Sequence, residues 1–193
     1  MKICVYGAAS SLIDKVYVET GEELGRKMVD HGHSLVFGGG RNGMMGAVAR
    51  GVAEKKGEII GISPKFFEEN NAEISFLDCT DFIYTDTMRE RKQLLAEKAD
   101  AIIVSPGGIG TFDEFFEILT LKQLGRHNKA IVVFNINGYY DSLLKMMEYS
   151  IKEQFITADC VELYKVTNTI EETLEYIENY DPTDVDLSLV KIR

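Results

Sequence analysis

Short apolar runs alternate along the chain with longer stretches in which apolar residues recur three and four positions apart. The apolar runs cover residues 2–7 (KICVYG), 34–40 (SLVFGGG), 58–63 (EIIGIS), 81–85 (DFIYT), 100–106 (DAIIVSP), 129–135 (KAIVVFN) and 161–166 (VELYKV). Runs of this length, bounded by glycine or proline, are typical of buried strands. The stretches between them, such as 138–153 and 169–180, have the spacing of amphipathic helices.

This alternation predicts βαβ units and an α/β fold, namely a doubly wound, mainly parallel sheet with helices on both faces, as in Rossmann-like proteins. We expect residues 1–180 to form a single domain and the weakly patterned residues 181–193 to form a C-terminal tail. In such sheets, ligands bind beyond the carboxyl ends of the strands, at the point where the strand order reverses.

Three loops follow predicted strands and are therefore expected to meet at that edge: GAASS at 7–11, GGGRNGMMG at 38–46 and SPGGIGT at 105–111. We expect loop contacts to a ligand from Gly7, Ser10, Gly39 and Gly40.

The composition limits the ligands that this edge can hold. The 193 residues include 21 Lys+Arg and 31 Asp+Glu, a formal net charge of -10. Such a chain does not favour nucleic acid or an anionic membrane, so an anionic ligand needs a local positive site. The odd number of cysteines without a CxxC pair predicts reduced thiols, and the scattered histidines predict no metal site. Without a signal peptide or a membrane span, we expect a cytoplasmic protein.

The second loop contains G-x-G-x-x-G at Gly38, Gly40 and Gly43, which raises the alternative of an NAD enzyme. That fingerprint also requires an acid at the end of the following strand, to bind the ribose hydroxyls. Here Glu58 lies at the start of that strand, and the motif follows the second strand, not the first. A nicotinamide site is therefore disfavoured, while close approach of this loop to a ligand or to a neighbouring backbone is still expected.

The third loop leads into a helix predicted from Thr111 to about Gln123, and it allows two interpretations. Thr111-x-x-Glu114 has the form of a capping box, in which the two side chains satisfy the first backbone amides of a helix. The same pattern occurs at residues 20–23 and 169–172, so it is common in this chain.

The glycines of the third loop support the other interpretation. Gly107, Gly108 and Gly110 leave backbone amides unobstructed at a helix N-terminus, which is a ready anion site. A helix that needs only a cap does not need three glycines before it. Glu114 and Glu117 also lie three apart and so share one side of the helix, while Phe112, Phe115, Phe116 and Leu119 form the apolar stripe.

A third feature is MRERK at 88–92. On a helix Met88, Arg91, Lys92 and Leu95 form one stripe, so both cations share a face with apolar residues. A partly buried cation needs a carboxylate or phosphate partner, unless its stem only lies along the edge of the core. The N-terminal end of this helix is expected to approach the same crevice.

MRERK followed by PGGIGTFDE resembles the M-x-x-R-K and P-G-G-x-G-T-x-x-E signature of the LONELY GUY family. Members are cytokinin riboside 5′-monophosphate phosphoribohydrolases, and bacterial members also cleave AMP. The resemblance covers nearly the whole chain. It implies a Rossmann-like nucleotide-binding domain in a homodimer, with the site near the subunit interface and no cofactor or metal.

The resemblance also implies roles for individual residues. Arg91 and Glu114 are the implied catalytic pair, with Arg91 holding both Glu114 and the ribose phosphate, and Glu117 assisting Glu114. The implied substrate contacts are Glu73, Met88, Lys92, Gly107, Gly108, Ile109, Gly110, Thr111, Phe112, Asp113, Glu117 and Thr120. The expected reaction is hydrolysis of a purine nucleoside 5′-monophosphate, with adenine or an N6-substituted adenine as base, to free base and ribose 5-phosphate.

The sequence departs from the family pattern in two places. Ala8 and Ala9 stand where relatives often have hydroxyl side chains, and Asp113 stands where Glu is more usual. Many relatives were labelled lysine decarboxylases, but a Schiff-base lysine for pyridoxal phosphate is not evident, so we set that label aside. The main alternative to a hydrolase is a nucleotide-binding module without turnover.

Overall fold

Seven parallel strands form one central sheet in this computed structural model, which describes residues 1–69, 74–183 and 185. The strands are β1 (Lys2–Tyr6), β2 (Ser34–Phe37), β3 (Ile59–Pro64), β4 (Asp81–Thr85), β5 (Ala101–Val104), β6 (Ala130–Phe134) and β7 (Lys165–Thr167). Their order is β4-β3-β2-β1-β5-β6-β7, and each neighbouring pair is parallel. The predicted doubly wound α/β fold is therefore confirmed.

Helices cover both faces of the sheet. They are α1 (Lys15–Asp30), α2 (Gly43–Glu54), α3 (Lys65–Glu69), α4 (Met88–Lys98), α5 (Ile109–Gln123), α6 (Asp141–Lys152) and α7 (Ile170–Glu178). Ile3 of β1 packs with α1, α2 and α7 residues on one face, while its neighbour Cys4 packs with α4 and α5 residues on the other. Because successive strand residues point to opposite faces, a strand buried on both faces has the continuous apolar run seen in the sequence.

The strand order reverses between β1 and β5, and the loops that follow these two strands are tied together. Ala8 N–H donates to Pro106 O at 3.0 Å, and the Ser105 hydroxyl donates to Tyr6 O at 2.6 Å. A crevice at such a reversal is where open α/β sheets bind ligands. The fold thus brings the first and third of the predicted loops together.

Local patterns failed in two places. Residues 158–163, whose end overlaps the predicted last strand, form a 3-10 turn with Cys160 and Leu163 buried, so β7 is only three residues long. The helix predicted to start at 138 begins at Asp141, because Asn137 and Gly138 have positive φ of 53° and 71°. Most of the predicted tail, at 184 and 186–193, lies outside the described residues.

The capping patterns also differ from one another. Thr169 and Glu172 form a true capping box at the start of α7. Thr20 lies inside α1, whose N-cap is Asp14, so the same sequence pattern at residues 20–23 does not mark a helix start. A pattern of four residues cannot by itself say where a helix begins.

Among the described residues, none of the helices has the length and apolar character that crossing a membrane requires.

Candidate active site

A cleft of about 300 Å³ opens at the carboxyl ends of β1 and β5. Its lining comes from three parts of the chain: the first loop, the start of α5, and side chains of the surrounding helices. The lining residues are Gly7, Ala8, Ala9, Ser10, Met45, Phe67, Met88, Arg91, Gly108, Gly110, Thr111 and Glu114. Sequence reasoning named most of them as contacts but did not name Ala8, Ala9, Met45 or Phe67.

The start of α5 forms one end of this cleft. The N-cap is Gly108, and no side chain of the described residues caps the helix. The first amides of a helix have no intrahelical acceptor, and they carry the positive end of the helix dipole. These amides are therefore open to an anion in the cleft.

The absence of a side chain has a different physical consequence at Gly107 than at Gly108 and Gly110. A Cβ at Gly107 would lie 2.1 Å from the Thr111 hydroxyl oxygen, so packing within the protein excludes a side chain there. A Cβ at Gly108 or Gly110 would meet no described atom within 4 Å. Gly108 has φ of -94°, which any residue can adopt. At Gly108 and Gly110 the missing side chain therefore leaves room for something outside the fold.

A buried ion pair lies beside these glycines. Arg91 Nη1 is 2.8 Å from Glu114 Oε1, and the two residues are only 5% and 7% exposed. Arg91 Nε donates to Ile62 O at 3.2 Å, and Nη2 donates to Gly38 O at 3.4 Å. The guanidinium of α4 thus connects the ends of β2 and β3 to α5.

The environment of Glu114 pulls its pKa in two directions. Burial disfavours the charged carboxylate and raises the pKa of Glu114 above its usual value, while the adjacent Arg91 guanidinium opposes the rise. A carboxylate at the wall of a cleft, with a raised pKa and a fixed cationic partner, can stabilise a developing cation or accept a proton.

Glu114 does not act as a helix cap. Because α5 begins at Ile109 with Gly108 as its N-cap, Thr111 lies inside the first turn and is buried. Glu114 pairs with Arg91 and does not reach back to the helix start. The capping-box interpretation of residues 111–114 is therefore wrong, and the interpretation based on the three glycines stays a prediction.

Lys92 lies on a different side of α4 from Arg91. Its ammonium pairs with Glu117 and, at 2.9 Å, with Asp113. Burial opposes the charge of Lys92, but the two carboxylates outweigh it and raise the pKa of Lys92. Lys92 and Glu117 line a second groove of about 380 Å³ between α4 and α5, which Glu114 also borders. Lys92 and Glu117, two of the predicted substrate contacts, therefore lie beside Glu114 in the second groove and do not line the cleft at the glycine loop.

Three other predicted contacts, Ile109, Phe112 and Thr120, do not line the cleft. Phe112 packs edge-on against Tyr140, with ring centroids 6.4 Å apart, and Thr120 is exposed further along α5. Ile109 is 86% exposed at the start of α5. Glu73 lies outside the described residues.

The second glycine loop pairs with a neighbouring segment of the chain. Gly39 O accepts from Phe76 N at 2.8 Å, and Gly40 forms an antiparallel bridge with Ser75. Close approach to a backbone, one of the two expectations for this loop, is thus found. Among residues 41–46, which follow these glycines, only Met45 lines the cleft.

Comparison with known proteins identifies the family to which this chain belongs. The family model described as "Possible lysine decarboxylase" matches residues 45–177. The cytokinin riboside 5′-monophosphate phosphoribohydrolase LOG2 of Arabidopsis thaliana is 32% identical over 185 residues, covering 96% of this chain and 86% of the relative. The cytokinin riboside 5′-monophosphate phosphoribohydrolase LOG of Oryza sativa subsp. japonica is 34% identical over 181 residues, covering 94% and 74%.

Solved structures show the same fold at lower identity. The molybdenum cofactor carrier protein from Chlamydomonas reinhardtii has a TM-score of 0.67 at 18% identity, covering 92% of this chain and 95% of that chain. The molybdenum cofactor binding protein from the phototrophic bacterium Rippkaea orientalis has a TM-score of 0.65 at 20% identity, covering 92% and 93%. At these identities the likeness shows the fold alone.

The ion pair predicts a pH-dependent stability loss on replacing Arg91. Arg91→Met strands Glu114 as a buried charge, which costs about 3 kcal/mol of unfolding free energy at pH 8. A raised folded-state pKa means that stability is lost as the pH rises through it, and losing the guanidinium raises the pKa of Glu114 further. The deficit of Arg91→Met should therefore shrink between pH 8 and pH 5, as Glu114 takes up a proton.

Urea unfolding of the wild type and Arg91→Met at both pH values measures this change. Arg89→Met is the matched control, because Arg89 lies on the same helix and is exposed. An equal loss at both pH values for Arg91→Met would show that the charge of Glu114 does not depend on Arg91.

Proposed function

The chain belongs to the LONELY GUY family, and we propose that it hydrolyses the N-glycosidic bond of purine nucleoside 5′-monophosphates to free base and ribose 5-phosphate. The activity in the relatives' names supports this proposal. The observation that carries it is the buried Arg91–Glu114 pair, which opens into a cleft whose other wall is an uncapped helix N-terminus.

The helix start suits a 5′-phosphate. The first amides of α5 supply donors, and the open space at Gly108 and Gly110 lets phosphate oxygens approach the backbone. Arg91 is 5% exposed, and three of its five N–H donors bond to Glu114, Ile62 O and Gly38 O. We therefore assign phosphate binding to backbone amides and assign Arg91 to holding Glu114.

Another part of the cleft suits the base. Met45, Phe67 and Met88 contribute apolar surface to its lining. A purine has two flat, weakly polar faces, and thioether and aromatic side chains pack well against such faces. We propose that the base lies against these three side chains, while the ribose lies between them and the helix start, beside Glu114.

The reaction follows from this placement. By analogy with glycoside hydrolysis, the C1′–N9 bond breaks through a ribosyl state with oxocarbenium character. The Glu114 carboxylate stabilises that cation and accepts a proton from the attacking water, whose oxygen bonds to C1′. The departing base takes up a proton from solvent and Glu114 returns its proton to solvent, so that one water is consumed in all, and the phosphate ester remains intact. Arg91 favours the ionised form of Glu114, against the effect of burial, and holds its carboxylate at the cleft.

We also propose that the protein is a homodimer in the cytoplasm. Exposed apolar side chains on and just after α5, Phe116 at 39% and Leu124 at 51%, support a subunit interface near the groove between α4 and α5. The three cysteines are free, which suits a reducing compartment. Sedimentation at nanomolar to micromolar concentration checks the dimer, and a monomer throughout would contradict it. Fractionation of cells checks the compartment.

The proposed function predicts a strong preference for monophosphates over nucleosides. AMP should release adenine at least about 10-fold faster than adenosine at low substrate concentration, because each charge-assisted phosphate contact contributes roughly 1.5–3 kcal/mol. Chromatography of released base from a panel of nucleoside monophosphates, with adenosine as control, measures this ratio. Binding of AMP without release of base would instead support a nucleotide-binding module. Equal rates for AMP and adenosine would contradict the proposed phosphate site.

A second prediction separates stability from substrate binding at Gly110. Gly110→Ala puts a methyl group into the space reserved for the phosphate, so the KM for AMP should rise at least about 10-fold. Alanine at a helical position should also stabilise the fold by about 0.4–1 kcal/mol. Steady-state kinetics and thermal unfolding measure the two effects.

Ser142→Ala is the matched control, since Ser142 is the second residue of α6 as Gly110 is of α5, and it is exposed. Its KM should stay at the wild-type value. An unchanged KM in Gly110→Ala would mean that the open space at this glycine is not used by substrate.

A further inference from the structure

The loop between β6 and α6 donates two hydrogen bonds to the glycine loop, residues 105–111. The Tyr139 hydroxyl donates to Gly107 O at 2.6 Å, and the Tyr140 hydroxyl donates to Ser105 O at 2.7 Å. The sequence pattern had assigned both tyrosines only to the start of a helix. Instead, two consecutive side chains of one loop bind two backbone carbonyls of the other.

The β6–α6 loop is itself fixed. Asn137 and Gly138 adopt the left-handed region, which turns the chain sharply after β6. Asn135 Oδ1 accepts from Tyr140 N at 2.7 Å, and Asn135 Nδ2 donates to Asp141 Oδ1 at 2.8 Å. Tyr139 and Tyr140 therefore project from a braced turn.

The peptide bond that joins Gly107 and Gly108 needs such a partner. Neither residue has a side chain, so rotation of this peptide is less restricted by sterics than rotation of any peptide between larger residues. One orientation presents the Gly108 N–H to the cleft, and the flipped orientation presents the Gly107 carbonyl. A carbonyl oxygen facing the cleft would repel a phosphate.

The hydrogen bond from Tyr139 selects between these orientations. In a trans peptide the C=O and the N–H point in opposite directions. A donor that holds Gly107 O on the side of Tyr139 therefore directs the Gly108 N–H to the opposite side. Gly108 lines the cleft, and Tyr139 does not.

We propose that Tyr139 is a positioning residue for the 5′-phosphate, which acts by fixing the orientation of the Gly107–Gly108 peptide. This role rests on the proposed function, because it assigns the ligand of the glycine loop. Tyr139 can be tested separately from the core, since it is 41% exposed and its ring packs edge-on against Tyr17 with centroids 6.1 Å apart. Tyr140, which is 1% exposed, is part of the core.

The test is Tyr139→Phe, which removes one hydroxyl and keeps the ring. The KM for AMP should rise by about 5- to 10-fold with kcat nearly unchanged, because an interaction shared by the ground state and the transition state is weakened. Affinity for ribose 5-phosphate, measured by calorimetry, should fall by the same factor, and the melting temperature should change little. Tyr149→Phe, which alters an exposed phenol on α6, should leave all these values unchanged.

The calorimetric arm keeps this proposal separate from the reaction. If the wild type releases no base from any monophosphate, the proposed function fails, while the ratio of ribose 5-phosphate affinities between the wild type and Tyr139→Phe still decides the role of Tyr139. Equal affinities in the two proteins, or a fall in kcat and melting temperature without a change in KM, would overturn the positioning role.

Discussion

The buried ion pair between Arg91 and Glu114 is the constraint around which the site is organised. A guanidinium that is 5% exposed must have its charge and its donors satisfied inside the protein. Glu114 supplies the charge, and the carbonyls of Ile62 and Gly38 accept the other two bonds. The pair also constrains residue 38 to be glycine, because a Cβ at Gly38 would lie 1.9 Å from Arg91 Nη2. The glycine after β2 is thus required by an arginine on α4.

The site divides its tasks between backbone and side chains. The proposed anion site consists of the amides of a glycine-rich helix start, so it would provide positive potential in a chain whose net charge is -10 without adding a cationic side chain. The Ser105 hydroxyl donates to the last carbonyl of β1, and the hydroxyls of Tyr139 and Tyr140 donate to carbonyls of the third loop. With these carbonyls satisfied by the protein, the amides are left for the ligand. Glu114, the proposed reactive group, is held by a separate and buried partner, Arg91.

The fold and the pairing of Arg91 with Glu114 could be predicted from the sequence for different reasons. The strands are buried on both faces, so each is a continuous apolar run, and the parallel order follows from the helices between them. Arg91 lies on an apolar stripe, which indicates that its charge has a partner. Glu114 follows a glycine loop, which indicates a ligand nearby. The signature motifs then connected two features that lie 23 residues apart.

The partners of individual side chains could not be predicted, because they depend on tertiary contacts that local spacing does not contain. Glu114 matched a capping box in sequence, yet α5 starts two residues before Thr111, so its carboxylate is free to meet Arg91. Lys92 follows Arg91 directly, but one step along a helix turns a side chain by about 100°, which carries it to Asp113 and Glu117. Phe67 lies in a segment without clear periodicity, and only the fold brings it to the cleft.

The central claim is that Glu114 is the reacting carboxylate and not only a structural partner of Arg91, and Glu114→Gln measures this most directly. Gln keeps the size and a hydrogen-bond acceptor for Arg91, but it can neither balance a developing cation nor take a proton from water. The account predicts that release of adenine from AMP falls at least ~100-fold while calorimetric affinity for AMP stays within about threefold of wild type, below the loss expected from removing one hydrogen bond. Near-wild-type turnover in Glu114→Gln, with the protein folded and AMP bound, would contradict it.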